Sequence, residues 1–556
     1  MRELAYLAVA LSLSACATCD GCSPYRREWR RPADPVAEPS PRFQAAAAGG
    51  PANQPVRGPD TLRIAIDADP VHLNPLVEPT VWTRRITRPA IFESLIRYAP
   101  PEGGAGSGPG TYEPELARSW TVDPSGLEIR FDLQPDVLFH DGKAMTSVDV
   151  QFTLDTVRGA SGPSDHLRRL LADVDTVELL GPRAVRVRLK RPDGYVLRAL
   201  AEIPILPAHV YQHRLRASRK APVVGTGPFR LASWDDHRIA LERWDRYWGA
   251  APKLARIELE IQADAARALI AAKRGDVDVV PSLIAAYYPE QLTAPGIDEK
   301  FTRLDLRPPA FRYLAMDAGE PPFDDPRVRH AVVLLVQRKK IAEDVRHSLA
   351  RPVAGPVWPG GPGDGPSPQA PPYDPADAYH LLDIAGWRDL DGDGKREKRG
   401  QPLSVSLLAT DDGDAERDLI VDSLQHAGFR IDVRRGPTGV LAKRLADHNF
   451  DLALVSWSGM VDDDLSPLLE TGGALNYGRF SDAAVDHALA ALRERWDPAA
   501  RAVAMGTLAQ ALAKSWPIAP ITAPDPHGLI SVRVHGAVVW DGWIDLPALS
   551  LQPAAE

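Results

Sequence analysis

The stretch from Leu403 to Trp457 constrains this chain more than any other, because its apolar period changes repeatedly along the run. "LSVSLLAT" (403–410) reads as a strand, and "AERDLIVDSLQHAG" (415–428) as a helix closed by Gly428. "FRIDVRR" (429–435) is a second strand, "GVLAKRLADHN" (439–449) a second helix and "FDLALVSW" (450–457) a third strand. Strands alternating with helices of this length wind into a parallel sheet through right-handed crossovers. Such sheets bind ligands beyond the carboxyl ends of their strands. The last strand delivers "SWSGMVDDD" to that edge. Trp457 is therefore a cleft candidate, although tryptophan at a strand end packs into cores as readily.

Alternating apolar residues predict further strands at "TLRIAI", "LEIRFDL", "AVRVRL", "RIALERW" and "IELEIQ". Asp264 is placed to cap a helix that Gly275 ends, and Asp325 with Pro326 opens another. Near the C-terminus Ser481 is placed to cap one helix, and Asp497-Pro498 opens a second that stops before Pro517. The body is preceded by a different kind of sequence. Arg2, the apolar run Leu4–Leu13, Ser14, Ala15 and Cys16 read as a signal peptide ending in a lipobox, with Cys16 lipidated. Ser23 to Asp60 is rich in Pro, Ala, Gly and Arg and reads as a tether. All three cysteines lie in "LSACATCDGC", and an iron–sulfur or zinc site needs a fourth ligand that is not near. A net charge of -9 argues against a nucleic-acid partner.

Motifs that suggest chemistry are incomplete. "VGTGPF" (224–229) lacks the lysine and following helix of a phosphate loop and reads as a tight turn. "DLDGDGKREKRG" (389–400) starts like a calcium loop but ends on Gly400, where a bidentate acid is needed, so a polar turn is expected. His209 and His213 are four apart without the glutamate of a helical zinc motif, and read as surface histidines. Ser458 lacks the glycine that precedes a hydrolase nucleophile, and Asp462 to Asp464 read as a solvated acidic loop. No cofactor and no catalytic residue is expected.

Several stretches, in order, resemble one family. "LRIAIDADPVHLNPL", "IFESLIRYAP" and above all "YEPELARSWTVDPSGLEIRFDLQPDVLFHDGKAMTSVDVQFTL" (112–154) carry the likeness. "ILPAHVY", "VGTGPFRLASW", "LERWDRYWG", "PPFDDPRVRHAV", "AYHLLDIAGW" and "DGDGKREKRGQPL" continue it. The chain resembles the family 5 extracellular solute-binding proteins of ABC importers, the group of dipeptide, oligopeptide and nickel receptors. The likeness runs from about Thr61 to Leu551. It implies an α/β, two-lobed periplasmic-binding-protein fold, with an extra small domain in the first lobe and a ligand cleft between lobes. The expected division is 1–15 signal peptide, 16–60 lipidated start and tether, 61–310 lobe one with the small domain near 116–219, 311–520 lobe two, and 521–556 returning to lobe one. Crossings near 310 and 520 serve as hinges in that reading.

The resemblance also implies a function. The chain is expected to be a monomeric, lipid-anchored receptor on the periplasmic side of the envelope, handing a small solute, first of all a peptide, to an ABC importer permease. Other ligands in the same fold, such as a metal chelate, sugar or cell-wall fragment, stay open, as does a sensor or hydrolase. Cleft candidates are Trp457, Asp463, Asn476 in "LNYGRF", and Trp82 in the loop after the first strand; a turn role is as good a reading of Asn476. Three positions depart from the family pattern. Ser456 replaces a glycine, Asp317 stands where asparagine is usual, and Met460 stands where dipeptide receptors carry the aspartate that pairs with the peptide amine. A buried amine without that carboxylate is costly, which counts against a free-amine dipeptide.

Overall fold

The computed structural model describes residues 60–552 except 78–79, 89, 102–109, 161, 213–214, 216, 356–368, 411–414 and 460–463. Cys16, Asp463 and Met460 lie outside the described residues. Two sheets organise the chain, each at the centre of an α/β lobe.

The first sheet has seven strands in the order Phe301–Asp305, His527–Ser531, Val279–Val280, Thr61–Ile66, Arg256–Ile261, Arg238–Arg243, Phe229–Trp234. Its centre is parallel: Thr61–Ile66 runs alongside both Arg256–Ile261 and Val279–Val280. Leu62, Ile64, Ile257 and Leu259 are fully or almost fully buried there, as period-two alternation requires. Asp264 accepts from the Ala266 amide and Gly275 adopts φ 73° at the end of Ala265–Arg274, so both ends of that helix form as its sequence directs.

The second sheet has six strands in the order Ala350–Pro352, Ile518–Pro524, Ala310–Met316, Leu452–Ser458, Ser404–Thr410, Arg430–Gly436. Ser404–Thr410 pairs in parallel with both Arg430–Gly436 and Leu452–Ser458, with helices Ala415–His426 and Thr438–Ala446 as crossovers. The wound unit expected from 403–457 is therefore present, and three antiparallel strands extend it. Asp482, not Ser481, caps Ala483–Arg493: its carboxylate accepts from the Ala484 and Val485 amides, one residue deeper than expected. Ser481 instead bonds Thr471 Oγ1 at 3.0 Å.

A third, antiparallel sheet of four strands (Ala117–Val122, Glu128–Leu133, Ala184–Leu189, Val174–Leu179) lies within the first lobe's sequence. Arg186 and Arg188 both pair with Glu128 and Glu178 across its strands. Between the two large sheets the chain crosses at 306–309, through Pro308 and Pro309, and at Asp525–Pro526. The crossings touch: the Leu306 amide donates to the Pro526 carbonyl at 3.0 Å, and Arg307 Nε lies 3.4 Å from Asp525 Oδ1. Among the described residues no helix is long and apolar enough to span a membrane.

Candidate functional site

The candidate site is built where the lobes meet. On lobe two, Trp457 opposes Phe311 in register, their rings are 5.4 Å apart, and Trp457 is 7% exposed. Two residues on, the Gly459 amide donates to the Pro309 carbonyl at 3.0 Å, so the crossing itself holds the chain just past this strand. Beside this pair Arg312 opposes Ser456 and donates to its hydroxyl at 3.2 Å. Arg312 Nε also lies 2.9 Å from Glu416, whose side chain is fully buried and also bonds Arg346. Ser456, which replaces the family's glycine, thus has a partner. A buried carboxylate held by two guanidiniums is stiff, and it stiffens the face that carries Trp457.

On lobe one, helix Val81–Thr87 starts from the Thr80 cap and buries Trp82. Trp82 donates to Asp67 Oδ1 at 2.5 Å and meets Trp543 edge-on at 5.4 Å. The Arg85 guanidinium lies over both rings, 5.1 and 4.6 Å from their centroids, and donates to the Gly542 carbonyl at 3.2 Å. Burial lowers its pKa to about 10, against the pull of Asp67. Gly542 has φ 76°, and a Cβ there would sit 2.9 Å from the Pro308 Cα. The Trp82 cluster and the Trp457 face therefore flank one crossing, at Pro308 and Pro309.

Around this floor, lobe one carries charge. Glu202 bonds Arg84 at 3.0 Å, Arg198 at 3.6 Å and Arg88. Burial alone would raise its pKa, but these arginines outweigh burial and take it down to about 2. His166 is pushed down to about 4 by burial and then by Arg84 and Arg169.

Asn476 closes its own loop. Its carboxamide donates to the Glu470 and Phe480 carbonyls at 2.9 and 2.7 Å and accepts from the Phe480 amide at 3.0 Å. The same loop carries Arg479, which binds Asp317 at 2.9 and 2.5 Å; this explains the aspartate in place of the usual asparagine. His209 is exposed, as expected of a surface histidine, and its Nε2 lies 2.6 Å from Asp141 Oδ2; His213 lies outside the described residues. Gly225 and Gly227 sit where a Cβ would come within 2.0 and 2.6 Å of the Ile91 and Ala90 carbonyls, so "VGTGPF" is a packed turn. Asp389 accepts from the Gly392 and Gly394 amides, as a polar turn does. Asp389, Asp391 and Glu397 have carboxylate oxygens within 4.8 Å of one another.

Sequence reasoning missed Glu416, Arg85 and Trp543. Glu416 lies 104 positions from Arg312, and Trp543 follows the return from lobe two, so no local pattern joins either to the site.

A family model described as "Bacterial extracellular solute-binding proteins, family 5 Middle" matches residues 111–478. The "Di/tripeptide-binding protein 2" of Pseudomonas aeruginosa is 25% identical over 501 residues, covering 84% of this chain and 90% of that protein. AppA from Bacillus subtilis, an oligopeptide-binding protein solved with a nonapeptide, superposes with a TM-score of 0.68 at 20% identity, over 88% of this chain and 99% of that one. NikZ from Campylobacter jejuni, solved with Ni(L-His), gives a TM-score of 0.67 at 22% identity, over 89% of this chain and 100% of that one.

Proposed function

We propose, because this chain belongs to the bacterial extracellular solute-binding proteins of family 5, that it is a lipid-anchored receptor which captures short peptides and hands them to an ABC importer permease. Its membership makes it a solute-binding receptor that works outside the cytoplasm, and not an enzyme. The peptide reading is supported by the relatives that bind peptides, over most of their length and of this chain's. The observation that carries the site is the pair of aromatic faces, Trp457 on one lobe and Trp82 on the other, beside the same crossing. An extended peptide between the lobes keeps its backbone hydrogen bonds, and it favours the closed state because it touches both lobes. Cys16, behind "LSA", is the proposed attachment point, and Ser23 to Asp60 the tether.

Met460 favours a second reading, a ligand without a free amine, such as a blocked peptide or a chelate like the one NikZ holds. Native mass spectrometry of the protein purified from its own host decides between them. Masses of short peptides are expected, and they are expected to be lost in Trp457→Ala. A chelate or sugar in place of peptides overturns the peptide reading. A Cys16→Ser protein that still partitions with membranes overturns the anchor.

A further inference from the structure

Lobe one gathers arginines beside the crossing. Arg84 stands two residues after Trp82 in helix Val81–Thr87, and Arg198 belongs to helix Val196–Glu202. Both reach Glu202, at 3.0 and 3.6 Å, and Arg88 bonds the same carboxylate. Both also reach Asp541, at 3.8 and 3.1 Å. Asp541 precedes Gly542, where a Cβ would meet Pro308 of the crossing, so the cluster stands where the lobes join. Its members are not equally hidden. The side chains of Arg198 and Glu202 are 5% and 7% exposed, whereas that of Arg84 is 38% exposed and within reach of a solute.

The positive charge continues toward lobe two. Helix Asp165–Leu170 packs on Val196–Glu202 and carries His166 and Arg169. Burial is the first cause that lowers His166; Arg84 and Arg169 come next, and each outweighs the opposing pull of Glu202. The field at His166 is therefore positive although Glu202 is near. Arg169 also acts on Tyr477, in the lobe-two loop that Asn476 closes: burial raises the Tyr477 pKa, and the charge of Arg169 pulls it the other way. Arg169 thus lies close to His166 on its own lobe and to Tyr477 on the other. Cations set in a cleft with low-dielectric walls focus their field on whatever enters it.

We propose that the solute is acidic, and that Arg84 and Arg169 receive a carboxylate it carries. The proposal deepens the receptor reading above and rests on it. None of these arginines has to be unpaired, because a guanidinium offers five donors in a fixed fork and holds more than one carboxylate at once. Glu202 and Asp541 brace the inner side of the cluster, and the solute meets its outer side at Arg84. The carboxylate has two possible sources, an acidic side chain or a free C-terminus. Neutral and cationic solutes without one gain nothing from this field and are selected against.

The test is native mass spectrometry, with fragmentation, of full-length wild type, Arg84→Gln and Arg169→Gln purified from the protein's own host. Solutes that carry a carboxylate are expected from the wild type, and their recovery is expected to fall at least about tenfold in each variant, as loss of a charge-assisted hydrogen bond requires. Arg84→Lys, which keeps the charge and loses the fork, is expected to fall between. Fragmentation separates the sources: an acidic residue in every recovered peptide assigns the side chain, and peptides sharing only a free C-terminus assign that end. Circular dichroism checks the fold, and should Arg84→Gln not fold, Arg169→Gln carries the comparison. Solutes lacking a carboxylate, or equal recovery from wild type and variants, overturn the proposal. Peptides retained equally by all the proteins overturn it and leave the peptide reading standing. A carboxylated chelate lost from the variants supports it and overturns the peptide reading instead.

Discussion

Two carboxyls buried in lobe one make a prediction with a definite sign. Glu93 is 3% exposed; its Oε1 accepts from the Tyr247 hydroxyl at 2.6 Å and its Oε2 from Trp248 Nε1 at 3.0 Å. Glu115 is 9% exposed and accepts from the Ser94 amide at 2.7 Å. Burial pushes Glu93 up to about 7. Burial and then the charge of Glu93 push Glu115 up to about 8. Both values stand above the ordinary 4.5, so the folded chain keeps protons that the unfolded chain has already lost. The pair's contribution is fully present below about 4.5 and is lost as pH rises toward about 8. Each proton held by the folded state alone gives a slope of about 1.4 kcal/mol per pH unit.

Asp193, pushed up to about 7 by burial and then by Asp464, adds to this slope. His140 and His166, each pushed down to about 4, oppose it below the ordinary 6.5, so the wild-type profile alone is not diagnostic. The variant Glu115→Gln removes one proton and the repulsion on Glu93 while leaving those groups alone. Between about pH 5.5 and 6.5, wild-type stability is expected to fall by at least about 1.4 kcal/mol more than that of the variant. Urea unfolding followed by tryptophan fluorescence, at fixed m-value across a pH series, measures the difference. Parallel profiles for the two proteins would refute the reasoning.

Glu416→Ala leaves Arg312 and Arg346 without their buried partner; a loss of about 3–5 kcal/mol is expected in denaturant unfolding, and a loss under about 1 would contradict a shared buried carboxylate. Glu202, held at about 2 against an ordinary 4.5, contributes stability that is lost as pH falls between those values. In Glu202→Gln the acid unfolding curve is expected to lose part of its steepness there, and an unchanged curve counts against the arginine cluster. Gly225→Ala drives a methyl group into the Ile91 carbonyl of its own lobe and is expected to cost about 1–3 kcal/mol in thermal unfolding.

The wound sheet was legible because its information is local. Period, cap and turn residues between Leu403 and Trp457 lie within one or two turns of the element they specify, and the strands they predict pair as parallel neighbours. The Ser481 cap shows the limit of that reading, since a serine and an aspartate in succession offer the same chemistry and the helix register selects Asp482. The candidate site was legible only in part. Trp457 was singled out because it ends a predicted strand, and it lies in Leu452–Ser458; Trp82 was read in the loop after the first strand, and it lies in the helix Val81–Thr87.

By itself the sequence determined which segments are strands and helices, and, through motifs met in order, the family and its two-lobed plan. Only the tertiary structure decided what stands against what. Arg501 reads in the sequence as one more charge on a helix, and Gly194 as an ordinary turn. Their meaning comes from Tyr112 and Arg495, hundreds of positions away for each of them. Hydrophobic periodicity encodes which face of an element is buried, but not which distant face buries it. That second fact is fixed only when the distant segments have folded against each other.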